Sequence, residues 1–297
     1  MTDEAIWRSP NDVAAALAGQ GYLADPALAM GLFLSAQLGK PLLIEGEPGC
    51  GKTEIAKAIA AATQVELLRL QCFEGLDARS ALYDWDYPRQ LLTIRLHERD
   101  PSTEAVEREV FGERFLLRRP LLRALEAEGP ARAVLLIDEI DRADEEFEGL
   151  LLEVLSDYQV TIPELGTIRA KRVPLVILTS NRTRDLGDAL KRRCLYVYVD
   201  YPPPDKELAI LRSRVPKLPD RLADEVVRFV HRLRREPDLA KRPGVAETLD
   251  WAAALLALGR DRLEPETIAE TLGFLVKDAE DLRALSGPRL AALESSE

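Results

Sequence analysis

Apolar residues along the chain follow helical spacing in some stretches and short unbroken runs in others. Residues 11–38 hold two helical stretches, marked by Val13 and Leu17, then by Leu28, Met30, Leu32, Phe33 and Leu34; Gly39-Lys40-Pro41 ends the second. Leu42-Leu43-Ile44 is a short apolar run between Pro41 and Glu45, the pattern of a strand buried on both faces. An Ala/Ile helix is predicted over 54–62 and a second strand over 65–70. Further on, the pattern predicts a helix over 121–128, a strand over 133–137 and a helix over 145–155. The last carries Phe147, Leu150, Leu151, Val154 and Leu155 on one face. Residues 159–162 and 167–170 flank Leu165-Gly166 as a small hairpin. Two more strands follow, over 173–178 and 195–199. Residues 73–115 read as irregular and rich in charge.

Five strands alternating with helices imply an α/β fold with a mostly parallel sheet covered on both faces. Tyr201-Pro202-Pro203-Pro204 interrupts that rhythm, and no strand pattern follows it. Helices are predicted over 206–214, 219–235, 245–258 and 265–277. The expected organisation is a three-layer α/β domain over 1–200 and a small all-α domain over 205–297. The chain shows no internal repeat and no low-complexity tail.

Gly46-Glu47-Pro48-Gly49-Cys50-Gly51-Lys52-Thr53 fits G-x-x-x-x-G-K-[ST] between the first strand and the helix at 54, which is the context a phosphate-binding loop requires. Backbone N–H groups in such a loop point inward around phosphates, and the glycines permit both the conformation and the close approach. The helix start adds its positive dipole end. In such a loop Lys52 is expected to reach the β- and γ-phosphates and the Thr53 hydroxyl to bind Mg²⁺. Cys50 occupies a variable position and is read as a passive small residue.

Val134-Leu135-Leu136-Ile137-Asp138-Glu139 is an apolar strand ending in two carboxylates. Asp138 is placed to hold Mg²⁺ and Glu139 to polarise an attacking water, which points to hydrolysis of ATP rather than to nucleotide sensing alone. Asn181, at the tip of the next apolar strand, either orients that water or simply forms a turn. Lys191-Arg192-Arg193 ends a short helix; these cations either complement its dipole or supply an arginine finger to a neighbouring subunit.

This ordered set, together with the trailing helices, resembles the AAA+ ATPases over roughly residues 20–275, and within them the MoxR-like group. Asp138-Glu139-Ile140-Asp141-Arg142-Ala143, Leu151-Leu152-Glu153 and Gln159-Val160-Thr161-Ile162 are similar to that group's segments. A narrower likeness, to CoxD-type accessory ATPases that help mature the metal centre of carbon monoxide dehydrogenase, rests on 70–77 and 83–87. The resemblance implies a homo-hexameric ring with ATP at subunit interfaces. Lys52, Thr53, Asp138, Glu139 and Asn181 then act in cis, and Arg193, with Arg192 as competitor, acts in trans. It implies that the C-terminal helices form a lid that usually contributes an arginine; here Lys241-Arg242-Pro243-Gly244-Val245 leaves Arg242 as the nearest candidate. The implied partner is a client protein, a metalloenzyme awaiting its cofactor, with a von Willebrand A-type protein as a further partner. Three other readings stay open on the residues alone: a nucleic-acid motor or loader, a phosphotransferase, and a nucleotide-gated regulator.

Composition narrows these. The 297 residues carry a formal net charge of −11, with 46% hydrophobic and 31% charged positions, a globular profile. Residues 1–200 hold −9 of that charge, which argues against nucleic acid as partner. The longest apolar run, 251–258, falls far short of the roughly 20 residues that span a bilayer. An acidic N-terminus without an apolar leader, three cysteines at no metal-ligand spacing and only two histidines (His97, His231) lead to the expectation of a cytoplasmic protein.

Two further features have a structural and a functional reading. Tyr83, Trp85 and Tyr87 alternate with Asp84 and Asp86, either as a partner-contacting insertion or, the favoured reading, as an edge strand packed within the protomer. The basic stretch Arg228–Arg242 is read as the solvated face of a helix, with His231 on the surface.

Overall fold

A computed structural model describes residues 7–96, 106, 109–128, 133–285, 289, 290 and 293; His97 lies outside them. In chain order its strands are β1 (Leu42–Gly46), β2 (Leu67–Gln71), β3 (Tyr83–Trp85), β4 (Leu116–Arg118), β5 (Val134–Asp138), β6 (Gln159–Ile162), β7 (Gly166–Arg169), β8 (Leu175–Ser180) and β9 (Leu195–Val199). The five apolar runs form one sheet in the order β2-β5-β8-β1-β9, and every pairing recorded within it is parallel. β1, β5 and β8 are buried at every position, as unbroken apolar runs require when both faces are covered.

The side-chain period of two sorts the sheet into two cores. Leu42, Ile44, Val134, Leu136, Leu175, Ile177, Val197 and Val199 face helices α1 (Pro10–Ala18), α2 (Pro26–Leu38) and α3 (Lys52–Thr63). Leu43, Leu68, Leu70, Leu135, Ile137, Val176 and Leu178 face the helices Pro120–Glu126 and Glu145–Asp157. The arrangement is the expected three-layer α/β fold. It aims the ends of β1, β5 and β8 at one edge, where the loops after them carry the candidate chemistry. β6 and β7 pair antiparallel in the expected hairpin, with Gln159 opposite Arg169.

The described residues of 73–115 are more ordered than their composition suggests. They include the short helices α4 (Ala78–Ala81) and α5 (Tyr87–Leu96), a 3₁₀ turn at Glu113–Phe115, and β3, which pairs antiparallel with β4 across about thirty residues of sequence. Strands of three residues are too short to leave a periodic signature, so the sequence pattern misses them. Trp85 is buried and stacks edge-on to Phe111 at 5.6 Å and to Tyr83 at 6.3 Å. The packing reading holds for Tyr83 and Trp85, whereas Tyr87 begins α5 and is exposed.

From Pro204 onward the described elements are helices: Pro204–Arg214, Asp220–Leu233, Val245–Ala257, Pro265–Thr271 and Ala279–Ala284, with a 3₁₀ turn at Leu272–Phe274. The helix expected over 265–277 thus stops at Thr271. These helices share a separate core in which Phe229 packs on Trp251 at 5.4 Å. Among the described residues, no helix is long and apolar enough to cross a membrane.

Candidate active site

The loop between β1 and α3 is shaped by glycines for identifiable reasons. A Cβ on Gly46 would lie 1.9 Å from the Val199 carbonyl oxygen of the adjacent strand, so only glycine fits. Gly49 and Gly51 have φ of 75° and 89°, the left-handed region that glycine enters without penalty. Gly51 caps α3 without a side-chain hydrogen bond, which leaves the first-turn N–H groups of that 12-residue helix facing the loop. Lys52 is buried, and its Nζ donates to the carbonyls of Gly46 and Glu47, each at 2.7 Å. Cys50 packs beneath the loop with its Sγ 3.7 Å from Lys52 Nζ. Burial pushes its thiol up despite that neighbouring ammonium, so the sulfur stays protonated and unreactive.

Asp138 ends β5 with its carboxylate sealed in hydrogen bonds. Oδ1 accepts from Thr53 Oγ1 at 3.1 Å and from Thr179 Oγ1 at 2.5 Å. Oδ2 accepts from Arg69 Nε at 3.1 Å and Nη2 at 2.6 Å, with Thr53 Oγ1 at 3.3 Å. Glu139, the next residue, adopts φ 54° and ψ 51°, a left-handed conformation uncommon for a non-glycine. Its N–H donates to Thr179 Oγ1 at 2.9 Å, and its Oε2 accepts from Gln71 Nε2 at 3.1 Å. The turn swings the Glu139 side chain away from the strand direction, toward the cleft that it lines.

Asn181 follows β8, and its position is set by an acid that the sequence pattern did not single out. Asp141 is buried and accepts from the N–H groups of Asn181 at 3.2 Å and Thr183 at 2.8 Å, and from Thr183 Oγ1 at 2.7 Å. The loops after β5 and β8 are thereby tied to each other, and Asn181 lines the same cleft as Lys52, Thr53, Asp138 and Glu139.

That cleft has a volume of about 500 Å³ and lies between the sheet edge and the C-terminal helices. Away from the phosphate loop its walls are largely apolar, with Tyr22, Leu23, Val199, Pro202, Ile210 and Leu249. Cations reach it from the helix Pro204–Arg214: Lys206, paired with Asp25 at 2.7 Å, and Arg214, 3.9 Å from Glu54. Arg242 is not among the lining residues; its side chain is exposed, and its carbonyl lies 3.5 Å from Tyr201 Oη.

The C-terminal helices meet the phosphate loop through backbone. Val245 N–H donates to the Gly49 carbonyl at 2.9 Å, and a Cβ on Gly244 would lie 2.6 Å from Gly49 Cα. The loop 243–244 is itself anchored by Arg234, which departs from the expected solvated basic face. Arg234 is buried; it donates to both Glu207 oxygens at 2.6 and 2.8 Å and to the Pro243 carbonyl at 2.7 Å, and lies over the Tyr201 ring at 4.5 Å. Thr248 also donates to Glu207, at 2.8 Å. His231, expected at the surface, is mostly buried with Nε2 2.8 Å from Glu207, and desolvation lowers its pKa.

Arg192 and Arg193 end the helix Asp188–Arg193 and lie outside the cleft of their own chain. Both are exposed; Arg193 Nε donates to Ser156 Oγ at 2.8 Å, while Arg192 has no recorded side-chain partner among the described residues. The pattern missed Arg69, Gln71, Thr179 and Asp141. A signal did exist for the first two, which stand at i and i+2 on the strand beside the acid pair and so point the same way.

Residues 41–194 match the model of the AAA domain, dynein-related subfamily. An uncharacterized protein of Staphylococcus haemolyticus is 28% identical over 228 residues, which are 74% of this chain and 77% of that one. The gas vesicle ATPase GvpN1 of Halobacterium salinarum is 23% identical over 269 residues, 88% of this chain and 75% of its own. Among solved structures, the Thermotoga maritima RuvB Holliday junction branch migration motor aligns with a TM-score of 0.46 at 17% identity, covering 92% of this chain and 71% of that one. With more than half its length matching that model, the chain belongs to the AAA domain family, dynein-related subfamily, and is an ATP hydrolase that works with Mg²⁺.

Proposed function

We propose that this protein is a MoxR-like AAA+ ATPase that acts as a homo-hexameric ring and remodels a client protein. We further propose that the client is a metalloenzyme receiving its cofactor, as the likeness to CoxD-type ATPases suggests, with a von Willebrand A-type protein as adaptor. The observation that carries the reading is the convergence of Lys52, Thr53, Asp138, Glu139 and Asn181 on one cleft beside a glycine-shaped loop.

Each residue has a task in this reading. The loop N–H groups and Lys52 bind the phosphates, and the apolar walls around Tyr22 and Leu249 take the base. Thr53 Oγ1 and the Asp138 carboxylate, oxygen donors 3.1 Å apart, fit a small hard cation and would hold Mg²⁺. That ion supplies charge neutralisation to the phosphates when bound. Glu139, held by Gln71 on one side, polarises the attacking water, and Asn181 orients it. Arg193 or Arg192, exposed and outside its own cleft, reaches the γ-phosphate of the next subunit.

The ring reading is tested by ATP turnover per subunit against protein concentration, alongside sedimentation. Turnover is expected to fall as the assembly dissociates, and an inactive Arg193→Ala chain is expected to regain turnover when mixed with an inactive Glu139→Gln chain. Constant turnover down to a proven monomer contradicts the trans arginine. For the client, ATP-dependent activation of an apo-metalloenzyme is the supporting result. Stimulation by DNA or RNA that weakens with salt is the opposing one.

A further inference from the structure

Asp138 is saturated. Its side chain is 2% exposed, and its carboxylate accepts bonds from Thr53, Thr179 and the Nε and Nη2 of Arg69. The two ends of the Arg69–Asp138 pair differ sharply. The acid is locked at the end of a central strand, whereas the arginine stands on edge strand β2 with its side chain 48% exposed. A guanidinium there already balances the carboxylate on which the proposed Mg²⁺ site depends. A divalent ion engaging Asp138 meets that positive charge at close range, and two cations on one carboxylate repel each other and compete for it.

We propose that Arg69 is a displaceable counter-cation for Asp138: it holds the carboxylate in place before the metal arrives and must yield for Mg²⁺ to be engaged. Arg69 thereby sets how much Mg²⁺ the protein needs in order to bind nucleotide productively. The inference rests on the ATP-hydrolase reading of the cleft and adds a residue to it. Arg69 is suited to the exchange because its side chain is half exposed and already bonded through Nη2 to Gln71 Oε1, which gives the head a place to go when it leaves Asp138, while Thr179 keeps Asp138 aligned from the opposite side. A residue that merely supported Asp138 would have the opposite influence, since removing it would weaken the metal site.

The sign of the effect therefore decides the matter. Binding of a fluorescent non-hydrolysable ATP analogue is titrated with Mg²⁺ in wild type, Arg69→Gln and Arg69→Lys, with circular dichroism to verify folding. For Arg69→Gln the half-saturating Mg²⁺ concentration is expected to drop about threefold to fivefold, the range of a partly exposed ion pair. Arg69→Lys, which keeps the charge but loses the two-nitrogen grip, is expected to shift the same way by less. An unchanged or raised Mg²⁺ requirement in a folded Arg69→Gln chain overturns the proposal; if that chain does not fold, the same criterion applies to Arg69→Lys. Failure of the wild type to bind the analogue at any Mg²⁺ concentration is a different result, and overturns the nucleotide reading and this inference with it.

Discussion

The two sides of the cleft are built on different principles. On the sheet side, Lys52, Thr53, Asp138, Glu139 and Asn181 present side chains to the cleft; the first four are held by side-chain hydrogen bonds, and Asn181 is placed by its backbone N–H. On the side of the C-terminal helices, contact with the phosphate loop runs through backbone, from Val245 N–H to the Gly49 carbonyl, with two glycines in van der Waals contact. Lys206 and Arg214 reach the cleft from that side, while Glu207 and Arg234 sit one layer back and hold the loop 243–244 in place. The difference suggests a division of labour: side chains on the sheet side carry out the chemistry, and backbone shape on the other side reports on the loop that cradles the phosphates.

Substitutions separate the two sides. Lys52→Ala is expected to have the largest effect on nucleotide binding, with ATP affinity reduced by about a hundredfold or more, as the loss of a buried charge-assisted contact implies; isothermal titration measures it. Next comes Glu207→Ala. Removing one partner of a buried ion pair leaves Arg234 uncompensated and is expected to cost about 3–5 kcal/mol of stability in denaturant unfolding. Gly244→Ala should leave the fold intact but push the C-terminal helices off Gly49, lowering ATP affinity by about tenfold, or ~1.4 kcal/mol. If Gly244→Ala binds ATP as the wild type does, the backbone contact has no functional weight and the comparison collapses. The smallest change is expected from Arg242→Ala, within about twofold in turnover, since an exposed side chain outside the cleft has little to lose. A large loss there would restore the side-chain arginine that the family resemblance leads one to look for.

The same contrast explains what could be read from the sequence. Lys52 and Asp138 were legible because each sits in a fixed spacing next to an apolar strand, and the five runs with their alternating helices were enough to specify the sheet. The left-handed turn at Glu139 leaves no mark in composition, and neither does the contact between Gly49 and Gly244, two glycines nearly two hundred positions apart. Arg234 looked like one of several surface cations on an amphipathic helix; only the packed helices show that Glu207 and Pro243 converge on it. Likewise β3 and β4 are brief, and each is specified by the other and by Trp85 rather than by its own periodicity. Local chemistry was readable, and contacts made by distant backbone were not.

The central claim is that the sheet side performs hydrolysis through Glu139, and one variant tests it directly. Glu139→Gln keeps the shape and the Gln71 contact but removes the base. ATP affinity is expected to stay within about threefold of wild type while steady-state turnover falls by about a hundredfold or more, the usual range for loss of a general base. Turnover at the wild-type rate in that variant, with ATP bound normally, would contradict the account.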